Sequence, residues 1–440
     1  MAALLNRLRQ RWVHSRFARH VGQLAGANAL AQALPLLAAP LLTRLYAPAD
    51  FTVLAVFTSA LSLVLAFATA RLDWSIPNAR GNGMAAALAM LGAVALTVSA
   101  AALFMLLTLT ATADPQTTAL PGLASLPAWA AALLPLAVLG GGANQLLQGW
   151  QVRQAALAPV AWARLWQGVA LVAVPLAVAS LLLEPVMALG LVLGALAAAW
   201  VGAGALWFGA TGLARALWRT TPARMRVAWR RFGGEAGWST VASVLNTACF
   251  AVVPLLLLRH HDMVQVGWWA LMQRVALGPV GLVTSAMSQG FWAEAAQLVR
   301  QQPDVLARLY VRNTRRLAWV GLAIGAVALA GPLYVGPLFG RAQWQQAGWV
   351  LAATAPLLAA MVVASPLSHL VIHGRQAWQA GWDAARLLLL VAVVELCGRA
   401  GCGLTRTVLA MSMAMALMYG VLVWLNLCAL RAAERRMGAA

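Results

Sequence analysis

The sequence contains no lysine and only 11 acidic residues, which lie far apart between Asp50 and Glu434. That scarcity removes whole reaction classes. There is no DDxxD-type carboxylate pair for prenyl transfer and no nucleotide P-loop for ATP hydrolysis. The four cysteines, Cys249, Cys397, Cys402 and Cys428, have neither zinc-site nor thioredoxin-like spacing. They read as small apolar helix residues, with a Cys397–Cys402 pair near one membrane face as the alternative. His369 and His373 share a helical face in HLVIH, but that segment lacks the glutamate of HExxH and an evident third ligand, so they read as structural or cavity-lining. No metal, no cofactor and no catalytic residue is expected. A cleavable signal peptide is also missing, because the N-terminal region carries five arginines and leads into an apolar segment holding Asn28 and Gln32, which reads as a retained span.

What is present is apolar sequence in long runs. Hydrophobic residues make up 62% of the 440-residue chain, charged residues 10%, and mean hydropathy is +0.78. A helix needs about 20 apolar residues to cross the hydrocarbon core, where every backbone group must be bonded internally. The expected spans are 24–42, 51–70, 84–109, 126–147, 160–183, 187–211, 236–258, 268–290, 317–339, 350–373, 384–398 and 404–427. The fold class is therefore an all-α polytopic membrane protein of about twelve transmembrane helices in two six-helix lobes, with both termini cytoplasmic. The longest polar connection divides an N-terminal lobe, 1–211, from a C-terminal lobe, 236–440, through a cytoplasmic loop, 212–235. Because six is even, the halves enter the membrane with the same orientation, which allows a parallel repeat. Asn28 through Pro40, Arg44 and Asp50 faintly echo Asn246 through Pro254, Arg259 and Asp262.

A net charge of +20 would suit nucleic acid if it were spread over a soluble surface. Here most of the 31 basic residues, all arginine, fall in alternate connections, including 1–20, 212–235 and 291–316. That is a positive-inside signal, with 110–125 on the opposite side. The partners it implies are anionic phospholipids and not nucleic acid. Gly190/Gly194 and Ala198/Gly202 allow close helix approach. Pro35, Pro40, Pro254, Pro279 and Pro356 lie where they can bend helices. Trp129, Trp150, Trp162, Trp218, Trp229, Trp319 and Trp344, near span ends, read as interfacial anchors.

Without enzyme signatures, a large membrane domain reads as a transporter, and polar residues within spans become the site candidates. Arg274 is the clearest, with Gln273 beside it and apolar sequence on both sides. Substrate or gating contact is favoured over a structural ion pair. Arg44 either pairs with Asp50 across a short turn or stays available to phosphate. Arg71 and Asp73 close the second span as an anchor or as a gate. Asn28 and Gln32 share one helical face, Asn144, Gln145 and Gln148 gather near the end of the fourth span, and Asn246 and Gln289 add amides in the second half. Amides bond sugar hydroxyls as donor and acceptor, and they equally join helices.

The order PLLTRLYAPADF, RLDWSI, NQLLQGWQVRQ, VLNTACFAVVPLLLL, ALMQRVALGPVGLVTSAMSQGFWAEAAQL, PLFGRAQWQQAG and SPLSHLVIHGRQ resembles the Wzx-type oligosaccharide flippases. These belong to the multidrug/oligosaccharidyl-lipid/polysaccharide exporter superfamily. Thr52 and Leu72-Asp73 depart from that family's glycine and aromatic-Glu pattern. The resemblance implies alternating access in a bacterial cytoplasmic membrane around a cationic cavity. Its implied cargo is undecaprenyl-diphosphate-linked oligosaccharide for O-antigen, capsule or exopolysaccharide synthesis, with Arg274 and Arg44 receiving the diphosphate. A polysaccharide polymerase and a chain-length regulator are the implied protein partners. The alternatives are an exporter of lipid II or a teichoic-acid precursor, and an assembly enzyme or scaffold. A small cationic drug is disfavoured by the cationic interior.

Overall fold

The computed structural model describes residues 26, 29–112, 125–181, 188–301, 303–340, 342–368, 370 and 375–438, and every regular element among them is helical. The long elements are α1 (Ala29–Leu45), α2 (Pro48–Leu65), then, after a single turn α3 (Leu72–Ser75), α4 (Asn82–Thr112), α5 (Ala128–Arg153), α6 (Leu157–Leu181) and α7 (Leu189–Gly209). A short α8 (Leu213–Trp218) precedes α9 (Pro222–Leu257), α10 (Met263–Gln301) and α11 (Pro303–Leu329). There follow α12 (Gly331–Phe339), α13 (Gln345–Ala353), α14 (Ala355–Ala364), α15 (Gln376–Arg399) and α16 (Leu404–Gly438). Among the described residues, 7 helices are long and apolar enough to cross a membrane, or up to 9 when each of two bent pairs counts as one span. The chain is an all-α, multi-pass membrane fold.

Proline explains both bends. The pair α11–α12 turns by 60° and the pair ending and beginning at α13 and α14 turns by 45°. Pro332 and Pro356 stand in the first turn of the restarted helix, where a missing N–H costs nothing. At the second break the Thr354 hydroxyl donates to the Leu351 carbonyl at 2.6 Å, satisfying an acceptor the break leaves free. Pro254 and Pro279 lie inside α9 and α10, which run on through them.

The expected loop 212–235 is instead helical, as α8 and the first turns of α9. The reason is local. Pro222 is the first residue of α9, and from there to Pro254 there is no proline to stop a run rich in Arg, Ala and Trp.

Contacts divide the chain into two compact units, one from 1–38, 60–117 and 127–243, the other from 39–59, 118–126 and 244–440. In the first unit α4 and α5 interlock through small residues: Gly142 lies under the Leu96 side chain and Gly92 under that of Leu146. Gly190, Gly194, Ala198 and Gly202 form one buried face of α7, with Gly194 against Pro175 and Gly202 against the amides of Gln167 and Asn144. The core of the second unit joins Val253 and Leu257 of α9, Trp269 of α10, Val350 of α13, Val394 of α15 and Met411 of α16.

Residues 39–59, which the sequence groups with the first half, are part of this second unit. Phe51 meets Trp344 edge to face at 5.3 Å between ring centres, and the Trp344 indole N–H donates to the Thr43 carbonyl at 3.1 Å. Trp344 and Trp150 are wholly enclosed, so neither is an interfacial anchor; Trp162, Trp218, Trp229 and Trp319 are exposed, as anchoring requires.

Candidate functional site

The strongest polar constellation lies inside the second unit. Gln379, Trp382, Asp383 and Arg386 fall on one face of α15. Arg386 is 2% exposed, which no arginine tolerates without partners. Its guanidinium donates at 3.0 Å to Asp383 Oδ1, at 3.0 Å to Asn246 Oδ1 of α9 and at 3.4 Å to the Tyr419 hydroxyl of α16. Three rings surround the same cation, Trp382 at 4.4 Å, Phe250 at 5.4 Å and Tyr419 at 6.0 Å from their centroids. The Gln379 amide donates to Asp383 Oδ2 at 3.2 Å, and the Ser368 hydroxyl donates in turn to Gln379 Oε1 at 3.3 Å. Only Arg386 Nε is left buried without a partner in this group. One cation and one anion close on each other, so the network is electrically neutral.

Cys249 and Phe250 connect this network to an apolar crevice between α9, α10, α14, α15 and α16. Trp269, Gln273, Leu277, Met411 and Met415 line it, with Thr354 at the α13–α14 break. Its volume is about 30 Å3, room for a water or two and far below what a drug-sized molecule fills. A cargo molecule therefore requires these helices to part.

The expected site residues do not converge. Asn246 joins the Arg386 network and Gln273 lines the crevice. Arg274, next to Gln273 in sequence, is exposed on α10 and has no ion-pair or hydrogen-bond partner among the described residues. Arg44 is exposed and lies against Gly340, while Asp50 Oδ2 accepts the Ala47 backbone N–H at 2.8 Å and so caps α2. The echoing Asp262 caps α10 differently, accepting from the Gln265 N–H at 2.8 Å.

In the first unit Arg71 has φ 54° and stacks over the Trp74 ring at 4.8 Å, with Nε unpartnered. Asp73 is buried and accepts from the Thr69 hydroxyl at 2.7 Å. Asn144 meets Gly202, Gln148 accepts from Arg164 at 3.2 Å, and Gln145 is half-buried beside them. These amides join α5 to α6 and α7. Gln32 is exposed on α1. Asn28, His369 and His373 lie outside the described residues, as does the side chain of Gln289.

Sequence reasoning missed Asp383, Arg386, Gln379 and Tyr419. Arg386 lies within the expected span 384–398; α15 begins eight residues before that span and so carries Gln379, Trp382 and Asp383 on the same helix. The signal was an acid and a base three apart beside a tryptophan, in WDAAR, opening an apolar run.

The turn between α9 and α10 carries a second charged group. Glu395 of α15 pairs with Arg259 at 2.7 Å and lies 3.3 Å from His260 Nε2. His261 beside them has its pKa lowered, by burial first and by the neighbouring His260 second. A lowered histidine pKa means that the folded state resists protonation, so stability falls as pH drops below the ordinary value near 6.5 and rises again above it. Thermal midpoints at pH 5 and pH 8 are expected to differ less in His261→Gln than in the parent protein. An unchanged difference would place the pH sensitivity elsewhere.

No family model matches this chain, and no curated protein sequence matches it. Solved structures do match over nearly their whole length. A eukaryotic MATE transporter, AtDTX14, is 15% identical, with 96% of this chain and 99% of that chain covered and a TM-score of 0.54. An inward-facing multidrug resistance MATE family transporter of the MOP superfamily is 12% identical, with 94% of each chain covered and a TM-score of 0.54. The Vibrio cholerae MATE transporter VcmN is 13% identical, with 96% and 98% covered and a TM-score of 0.51.

These likenesses establish the fold: a multi-pass, all-α membrane fold like that of the solved MATE transporters. They also overturn the flippase resemblance. The chain's structural kin are MATE transporters, so the Wzx assignment, its undecaprenyl-diphosphate-linked oligosaccharide cargo, its role in polysaccharide synthesis, and the polymerase and chain-length regulator partners are withdrawn. The cationic interior held against drug-like cargo is not found at Arg386, the most enclosed arginine among the described residues, because Asp383 pairs with it.

Proposed function

We propose that this chain is a MATE-type transporter of about twelve spans in a bacterial cytoplasmic membrane. Its cargo is a compact amphipathic organic compound carried by the second unit. The observation that supports this reading is the crevice beside the Arg386 network. Its apolar wall contains Trp269, Met411 and Met415, and thioether side chains repack around varied shapes at little cost. Gln273 and Thr354 offer hydrogen bonds at its edge. Because the adjoining cation and anion compensate each other, the site selects for an apolar body with a few polar groups, not for net charge. One structural relative is named a multidrug resistance transporter, and drug-like compounds have this chemistry.

Arg274, Arg44, Arg71 and Asp73 remain candidates for contacts made when the conformation changes, since a site that binds in one state must weaken in another. The test is uptake of neutral and cationic fluorescent compounds into vesicles holding the purified protein. Gln273→Ala, which breaks no bond of the resting structure, is expected to lower uptake about tenfold, the equivalent of about 1.4 kcal/mol. Leu277→Trp, which fills the crevice, is expected to abolish it. Uptake at the parent rate in a well-folded Leu277→Trp protein would move the site elsewhere.

A further inference from the structure

We infer that Cys397 and Cys402 are a disulfide-forming pair that closes the C-terminal cap of α15. The argument begins with the backbone. The Cys402 N–H donates to the Cys397 carbonyl at 3.0 Å, and the Gly401 N–H donates to the Gly398 carbonyl at 3.1 Å. Gly401 has φ 67°, in the left-handed region. This double bond around a left-handed glycine is the Schellman motif, in which the residues at the two ends of the longer bond bring their side chains into contact. In most helices that contact is hydrophobic; here both partners are cysteines, free and half-buried.

Reach is assured by covalent geometry. With the Cys402 nitrogen hydrogen-bonded to the Cys397 carbonyl oxygen, the two Cα atoms cannot lie more than about 7 Å apart, the limit beyond which a disulfide needs backbone movement. The other two cysteines, Cys249 and Cys428, belong to α9 and α16 and have no such arrangement. In the topology expected from the arginines, the α15–α16 turn faces away from the cytoplasm, on the side where disulfides persist. This inference is independent of the cargo.

The chemistry is thiol–disulfide exchange with a small disulfide as oxidant. One cysteine thiolate attacks the oxidant and expels a thiol; the second cysteine then attacks the resulting mixed disulfide and expels the other thiol. The two cysteine sulfurs are oxidised, the oxidant is reduced to two thiols, and the two cysteine protons end on those thiols. The new bond closes a ring of only a few residues beside Gly398, on which the His260 ring packs, and Glu395, which pairs with Arg259. It therefore fixes the turn between α15 and α16, next to those contacts with the α9–α10 turn. The loop is short, so chain-entropy stabilisation is small and thiol chemistry is the informative readout.

The experiment treats the purified full-length protein in detergent with oxidised glutathione, blocks remaining thiols with maleimide, and maps the products by peptide mass. The expected product is an internal Cys397–Cys402 disulfide, restored to two maleimide-reactive thiols by dithiothreitol, with labelling of Cys249 and Cys428 unchanged. In Cys397→Ser, Cys402 is expected to end as a glutathione adduct. In Gly401→Ala, where the left-handed backbone is strained, the internal product is expected to fall. Persistent thiols, glutathione adducts on both cysteines, or cross-linked dimers in the parent protein would each overturn the proposal.

Discussion

Arg386→Ala is expected to be among the most damaging single substitutions in this protein, costing about 3–5 kcal/mol, because it leaves the carboxylate of Asp383 buried without its cation. The same change removes the donors to Asn246 and Tyr419 and empties the space between three aromatic rings. Arg386→Lys is expected to restore little, since one ammonium on a flexible stem cannot reach Asp383, Asn246 and Tyr419 together as the planar guanidinium does. A paired replacement, Arg386→Met with Asp383→Leu, removes both charges and is expected to recover most of the loss. Unfolding of membrane proteins is rarely reversible, so the measurement is the temperature at which half of the monodisperse protein is lost after heating in detergent. A midpoint for Arg386→Ala equal to that of the parent protein would mean that the network carries little of the unit's stability. A double variant no better than the single one would show that shape, not charge compensation, is what matters.

Gly267→Ala tests the second unit at a different place and by a different mechanism. A Cβ at position 267 of α10 would lie inside the contact distance of the Pro48 carbonyl oxygen and against its Cα. Both obstacles are backbone, so no side chain can swing aside. The Thr52 hydroxyl also donates to the Met263 carbonyl one turn earlier, which pins the two segments together. Overpacking of this kind costs about 1–3 kcal/mol, with the loss read as a lower midpoint and lower yield of monodisperse protein. Gly398→Ala makes a useful contrast, because its obstacle is the His260 ring, a side chain that can rotate at the expense of its Glu395 contact. Its midpoint is expected to fall less. Equal midpoints for Gly267→Ala and the parent would show that 39–59 yields readily and that the close approach is not a constraint.

Much of the fold was legible because a lipid-facing helix leaves its mark residue by residue. The described residues of the expected spans are largely helical, and 7 to 9 helices among them are long and apolar enough to cross a membrane, since backbone satisfaction in hydrocarbon admits little else. The break at Pro356 was legible for the same local reason. The helical character of 212–235 was not, because arginines mark where a span stops and say nothing about whether the helix does.

The site was less legible still. In the sequence Asp383 borders the expected span 384–398 and Arg386 falls inside it, and the local pattern alone does not mark the two as a buried pair. What reversed the reading was the arrival of Asn246 from α9 and of Tyr419 from α16, 140 and 33 residues away along the chain. Composition and periodicity alone thus determined that this chain is a bundle of membrane-crossing helices without an evident catalytic cluster. Only tertiary structure decided which cation is compensated and which is exposed, and that the fold is the one seen in solved MATE transporters. The reason is physical: burial in lipid acts on each helix separately and is written in local sequence, whereas the cost of burying a charge depends on partners that only folding brings within reach.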